Sequence, residues 1–210
     1  MKRIPPALSQ ILRIVALATM LVVPLAHADD YGSVSQLARS GKPTEALAKA
    51  DAYLATNPRD PQMRFIKGVI LTNTGKTQDA MAVFTQLTQD YPELPEPYNN
   101  LAVLYAAQGQ FEKARAELEM AVRANPGYAT AYENLGDVYA RLAAQSYAKA
   151  VQLDAAVGAS VTPKLTLIRS LFASSAKSQK PSATPAAMAS TPASAAAAPA
   201  AAKSSSDHKP

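Results

Sequence analysis

Cysteine and tryptophan are absent from this 210-residue chain, and its two histidines, His27 and His208, sit near opposite ends. Without Cys there are no disulfides, no thiolate nucleophile and no Cys-linked lipid anchor. With no His between them, triads built on imidazole and ordinary zinc sites are excluded as well. No catalytic set, metal or cofactor is therefore expected. Glycine is scarce too, with 8 residues. A phosphate-cradling loop has no support: Gly75-Lys76-Thr77 resembles the end of one, but the upstream glycine and the preceding strand are missing. Charge of one sign is also lacking. The formal net charge is +5, but Lys2, Arg3 and Arg13 lie in the first 28 residues. The last stretch holds Lys177, Lys180, Lys203 and Lys209 against Asp207, which leaves the middle of the chain near neutral. The basic character belongs to the ends, so nucleic-acid binding is not expected.

Long apolar runs are confined to one place, residues 14–25, interrupted by Thr19 and Pro24. A basic start precedes it, and Ala26-His27-Ala28 follows with small residues at both ends of the triplet. That order reads as a secretory signal over 1–28, cleaved after Ala28. The alternative is an uncleaved anchor, but the run is short against the roughly 20 residues that a span needs. Export to a periplasm is expected, with no stable membrane insertion once the signal is gone.

What the chain does have is a period. Gly41, Ala46 and Pro58 recur as Gly75, Ala80 and Pro92, and again as Gly109, Ala114 and Pro126, each set thirty-four positions on. Each glycine suits a helix end where the backbone needs φ > 0. Each alanine suits a close approach of two helices, and each proline ends the second helix of its unit. In the third unit the first helix adds Tyr98, Leu101, Ala102 and Tyr105, and the second adds Leu118 and Ala121. The fourth begins Tyr132, Leu135, Gly136, Tyr139; the second is more degenerate, with Arg64, Lys67, Gly68, Leu71, Phe84 and Leu87. These residues resemble the tetratricopeptide repeat (TPR) family over roughly 30–155. The resemblance implies an all-α helix-turn-helix solenoid of three to four repeats.

The predicted organisation is a signal over 1–28, a solenoid with a capping helix over 29–173, and a tail over 174–210. In the fourth unit the expected glycine is Ala143, and apolar or small residues step by three or four from Leu135 to Leu153. The spacing favours one continuous helix over 130–154, the alternative being a sharp turn near Ala144. A final helix over 162–173, with Leu165, Ile168, Leu171 and Phe172 as its stripe, would cap the array. The tail is mostly Ala, Ser and Pro and carries too little apolar surface to order itself, so it reads as a disordered linker.

Carboxylates are the remaining chemical candidates. Glu112, Glu117 and Glu119 alternate with Lys113, Arg115 and Arg123, which predicts a solvated face with a Glu119–Arg123 pair. The resemblance points elsewhere, since first helices of such repeats line a groove. By register that groove takes Phe65, Val69 and Asn73, then Asn99, Asn100 and Val103, then Glu133, Asn134, Asp137 and Arg141. Asn100 and Asn134 are one period apart and resemble an asparagine ladder, in which amides hold the backbone of an extended peptide. Their alternative role is to bond neighbouring helices together. The family's carboxylate-capturing set is not matched, since Tyr31, Ser35 and Glu96 stand at its positions beside Asn100. The expected function is a periplasmic scaffold or peptide-binding adaptor in envelope assembly, acting on proteins or extended peptides. The alternative is a non-catalytic accessory subunit of a peptidoglycan-acting enzyme.

Overall fold

The computed structural model describes residues 25–178, with side chains over 29–172. The expected signal and tail therefore fall largely outside the described residues. Within them the chain is all-α. The order is α1 (Leu25–Arg39), α2 (Pro43–Thr56), α3 (Pro61–Asn73), α4 (Thr77–Asp90), α5 (Pro95–Ala107), α6 (Phe111–Ala124), α7 (Ala129–Leu153), a 3-10 turn (Ala155–Val157) and α8 (Gly158–Ser178). Among the described residues no helix is long and apolar enough to cross a membrane.

Three helix pairs are made by one device used three times. Gly41, Gly75 and Gly109 have φ of 74°, 73° and 73°. Around each, the residue after the glycine donates its N–H five residues back: Lys42 to Leu37, Lys76 to Leu71, Gln110 to Tyr105. The glycine N–H itself goes three back, to Ala38, Thr72 and Ala106. That double bond pattern ends a helix on an αL residue, which costs an L side chain about 1–2 kcal/mol and glycine nothing. The next helix starts two residues later. Pro43, Pro61 and Pro95 each open a helix at its first turn, where a missing N–H is no loss. Pro58, Pro92 and Pro126 each stand two residues past the end of a second helix.

Every helix touches its chain neighbours, and first helices also meet at two places, α1 with α3 and α5 with α7. Ala46, Ala80 and Ala114 are wholly buried. One core cluster joins Val34, Ala46, Ala50, Met63 and Ile70; another joins Tyr98, Ala102, Ala114, Leu118, Ala121, Ala131 and Val138. Phe84, fully buried, packs against Phe65 with ring centroids 5.7 Å apart.

The fourth unit does not fold back. With Ala143 in place of glycine, α7 runs unbroken for 25 residues. The closing helix differs from expectation at both ends. It begins at Gly158, whose φ of −56° is ordinary helix, and runs on to Ser178. Pro163 lies inside it, near enough to the start that its missing N–H costs a single bond. Val161 and Leu165 are buried as α8 packs against α7, closing the end of the array.

Candidate functional site

The first-helix face at the α5–α7 junction carries the polar residues expected of a groove. Asn99 on α5 is 6% exposed, and its Oδ1 accepts from Asn134 Nδ2 on α7 at 2.7 Å. The rung is thus Asn99–Asn134, one position off the expected register. Asn100, the other expected member, gives its Nδ2 to Glu96 O of its own helix at 2.9 Å. The two asparagines one period apart are therefore not equivalent in bonding. Asn134 binds a neighbouring helix, and Asn100 its own.

Around this pair the face is mixed. Val103, one turn along α5 from Asn99, is 46% exposed. Glu133 and Asp137 flank Asn134 on α7 and are exposed. Arg141, four residues beyond Asp137, turns away from it: its guanidinium lies 4.1 Å from the Phe172 ring centroid and 5.6 Å from that of Phe111. It therefore fastens α7 to α6 and α8 through the ring faces. Glu96, one turn before Asn99, has a buried Oε2 with no hydrogen-bond partner. Further along the array the prediction fails for Phe65, which is buried against Phe84 and belongs to the core. Val69 is half-buried and Asn73 exposed.

A second polar cluster escaped the sequence. Asp60 caps α3, its Oδ1 accepting from Met63 N at 2.8 Å. Its Oδ2 accepts from the hydroxyls of Tyr31 and of Tyr53, the latter at 3.1 Å. Burial first, and the bond to Asp60 second, push the Tyr31 hydroxyl well above the usual tyrosine range. Asp-Pro at 60–61 is a local signal for the cap, but nothing local links Tyr31 to a residue 29 positions away. An open hollow of about 430 Å³ lies beside it, lined by Tyr53, Asn57, Pro58, Arg59 and Asp60. It sits at the α2–α3 corner and contains no part of the asparagine pair. With Asp60 already accepting three donors, this cluster is a fastening of α1 to α3.

Of the α6 carboxylates expected on a solvated face, Glu112 and Glu119 pair with Arg115, a different partner from the one expected. Arg115 pairs with Glu119 at 3.6 Å, and its Nε approaches Glu112 at 3.1 Å as an ion pair without hydrogen-bond alignment. Arg123 instead points its Nη1 to Met120 Sδ at 3.4 Å, because Arg115 reaches Glu119 from the other side. Glu117 is half-buried, and loss of water raises its carboxyl above the ordinary value. Among the described residues no group of three or more His, Cys, Asp or Glu could hold a metal ion.

Two models of the tetratricopeptide repeat match the chain, over residues 32–95 and 71–142. The chloroplastic TPR domain-containing protein PYG7 of Arabidopsis thaliana is 46% identical over 50 residues, which is 24% of this chain and 17% of that protein. The chain spans less than a quarter of the length of the curated relatives it matches. Among solved structures, a thermophilic TPR protein of Thermus thermophilus aligns with a TM-score of 0.51 at 23% identity, over 69% of this chain and 82% of that one. The type III secretion chaperone SycD of Yersinia enterocolitica, in complex with a peptide of the translocator YopD, aligns at 0.50 with 13% identity, over 57% and 96%. TPR proteins act as scaffolds that hold proteins or peptides, and their fold is in general not catalytic. The period, the three glycine turns and the matched family models all fall on the same stretch, and this chain belongs to the tetratricopeptide repeat family.

Proposed function

We propose that the protein is a non-catalytic scaffold whose first-helix face holds an extended segment of a partner protein by its backbone. One observation carries the reading, the bonded pair Asn99–Asn134 on successive first helices. Because Asn134 donates to Asn99 Oδ1, the Asn99 amide N–H and the Asn134 carbonyl are left to an incoming chain. An extended backbone offers a C=O and an N–H in alternation, and this pair offers the matching donor and acceptor, held in place by their mutual bond. That SycD, a protein of the same fold, was solved in complex with a peptide is consistent with a peptide as the occupant. The setting proposed is the bacterial periplasm, in envelope assembly or maintenance. It rests on the basic start, apolar run and Ala26-His27-Ala28 triplet of the sequence.

The test is binding to an array of immobilised twelve-residue peptides, wild type against Asn134→Ala. Each net hydrogen bond is worth about 0.5–1.5 kcal/mol, so binding by the folded protein should weaken roughly twofold to tenfold. Thermal melts on the same variant will also drop, since Asn99 loses its partner, and affinity is therefore compared below the transition. Unchanged affinity would overturn the reading. Recovery of one stoichiometric enzyme from periplasmic extract, with no peptide binding, would favour an accessory subunit.

A further inference from the structure

Resting on that scaffold reading, we infer that the segment held at the α5–α7 junction is cationic, with an apolar residue and a Lys or Arg spaced to reach both helices. The argument begins with which charges on the first helices are already satisfied. Arg64 is paired with Asp90 at 2.7 Å and Lys67 with Asp51 at 2.6 Å, both on second helices. Arg141 is stacked between Phe172 and Phe111. The cations of α3 and α7 nearest the groove are thus drawn off it. The carboxylates are not. Glu133 and Asp137 sit one turn apart and exposed, and the salt bridges of the described residues involve neither. On α5 the sole charged residue is Glu96.

Two further observations point to an occupant. Glu96 Oε2 is buried and has no hydrogen-bond partner, so it is an acceptor withdrawn from water with nothing donating to it. Asn99 is more than nine-tenths buried, and its one hydrogen bond is made by its oxygen, which leaves its N–H group for a ligand. The face is therefore acidic, orders one amide pair, and has Val103 open beside it as an apolar seat.

Geometry sets the spacing. Packed helices lie about 8–10 Å apart. A peptide in the extended polyproline II form advances about 3.1 Å per residue and presents every third side chain on the same side. A residue seated on Val103 of α5 is thus about three positions from one that reaches Glu133 and Asp137 on α7. The recognised pattern is an apolar residue and a basic residue about three apart.

Fluorescence anisotropy on the full-length protein tests this with three labelled ten-residue peptides. They share one leucine and differ three positions away, where they carry Lys, Gln or Glu. The lysine peptide should bind at least tenfold tighter than the glutamine peptide, and the preference should fade between 50 and 300 mM NaCl, since exposed charges are screened. Changing Glu133→Gln together with Asp137→Asn, both at exposed sites, should abolish the preference for lysine over glutamine. Equal binding of all three, still weakened by Asn134→Ala, would overturn the charge inference and leave the scaffold reading standing. Binding of none would overturn both. A dimer in sedimentation that the double variant dissolves would name a second copy as the occupant and overturn the peptide proposal.

Discussion

Gly68, Ala102 and Gly136 occupy one register position in three successive units, and their surroundings decide their roles. A Cβ added at Gly68 would lie 2.6 Å from the Phe84 ring, which also packs against Phe65. At Gly136 a Cβ would meet nothing within 4 Å, since no returning second helix covers α7 there. Gly68→Ala should therefore cost about 1–3 kcal/mol through overpacking. Gly136→Ala should gain about 0.5–1 kcal/mol from helix propensity alone. Urea titration of the two variants should show midpoints shifted in opposite directions, and a loss at both sites would mean that α7 is covered. Sequence cannot separate these two glycines, because each stands in the same local pattern and differs only in what arrives from a distant element. The same limit explains Phe65, which fits a groove register and is buried by Phe84 nineteen residues on. It also explains the asparagine pair, whose amide-rich character was legible while the bonding of Asn134 to Asn99 was not.

Element boundaries were easier to read where the signal is local. The three glycine turns, the first-turn prolines and the unbroken α7 all follow from residues within a few positions of the event. The start of α8 was missed because Gly158 reads as a breaker while its backbone is helical. The fastening of elements was legible in the period alanines but not in the polar contacts between distant residues, and the Tyr31–Asp60 contact between α1 and α3 is the instance with a measurable consequence. The Tyr31 hydroxyl is held protonated in the folded state, its folded pKa lying above the unfolded value of about 10. Its contribution is therefore complete below about pH 10 and is lost as pH rises above that value, because the unfolded chain ionises first. Melts between pH 8 and 11 should show wild-type stability falling at the alkaline end. In Tyr31→Phe that fall should be shallower. An identical slope in both proteins would show that Tyr31 contributes nothing to alkaline unfolding.

At the scale of the array, the substantial contacts between elements among the described residues join neighbours one or two places apart in the chain. Stability in such a molecule is close to a sum of local interfaces. Met63, wholly buried, belongs to the N-terminal cluster with Val34, Ala46, Ala50 and Ile70, separate from the cluster around Leu118. Met63→Ala should cost about 2–5 kcal/mol where it sits. Hydrogen exchange should then show protection lost most in α1–α3 and least in α6 and α7. A uniform loss would mean that the array unfolds as one unit.

The chain's stock of glycine turns also governs how such a molecule can grow. A further unit placed between Asn125 and Ala129 would meet a proline-ended second helix on one side and a first helix on the other, the junction each existing unit already makes. After Leu153 no such junction exists, because Ala143 lets α7 run on and α8 seals its flank. Duplication can therefore lengthen the array from within, carrying the same turn each time, while its C-terminal end stays fixed in kind.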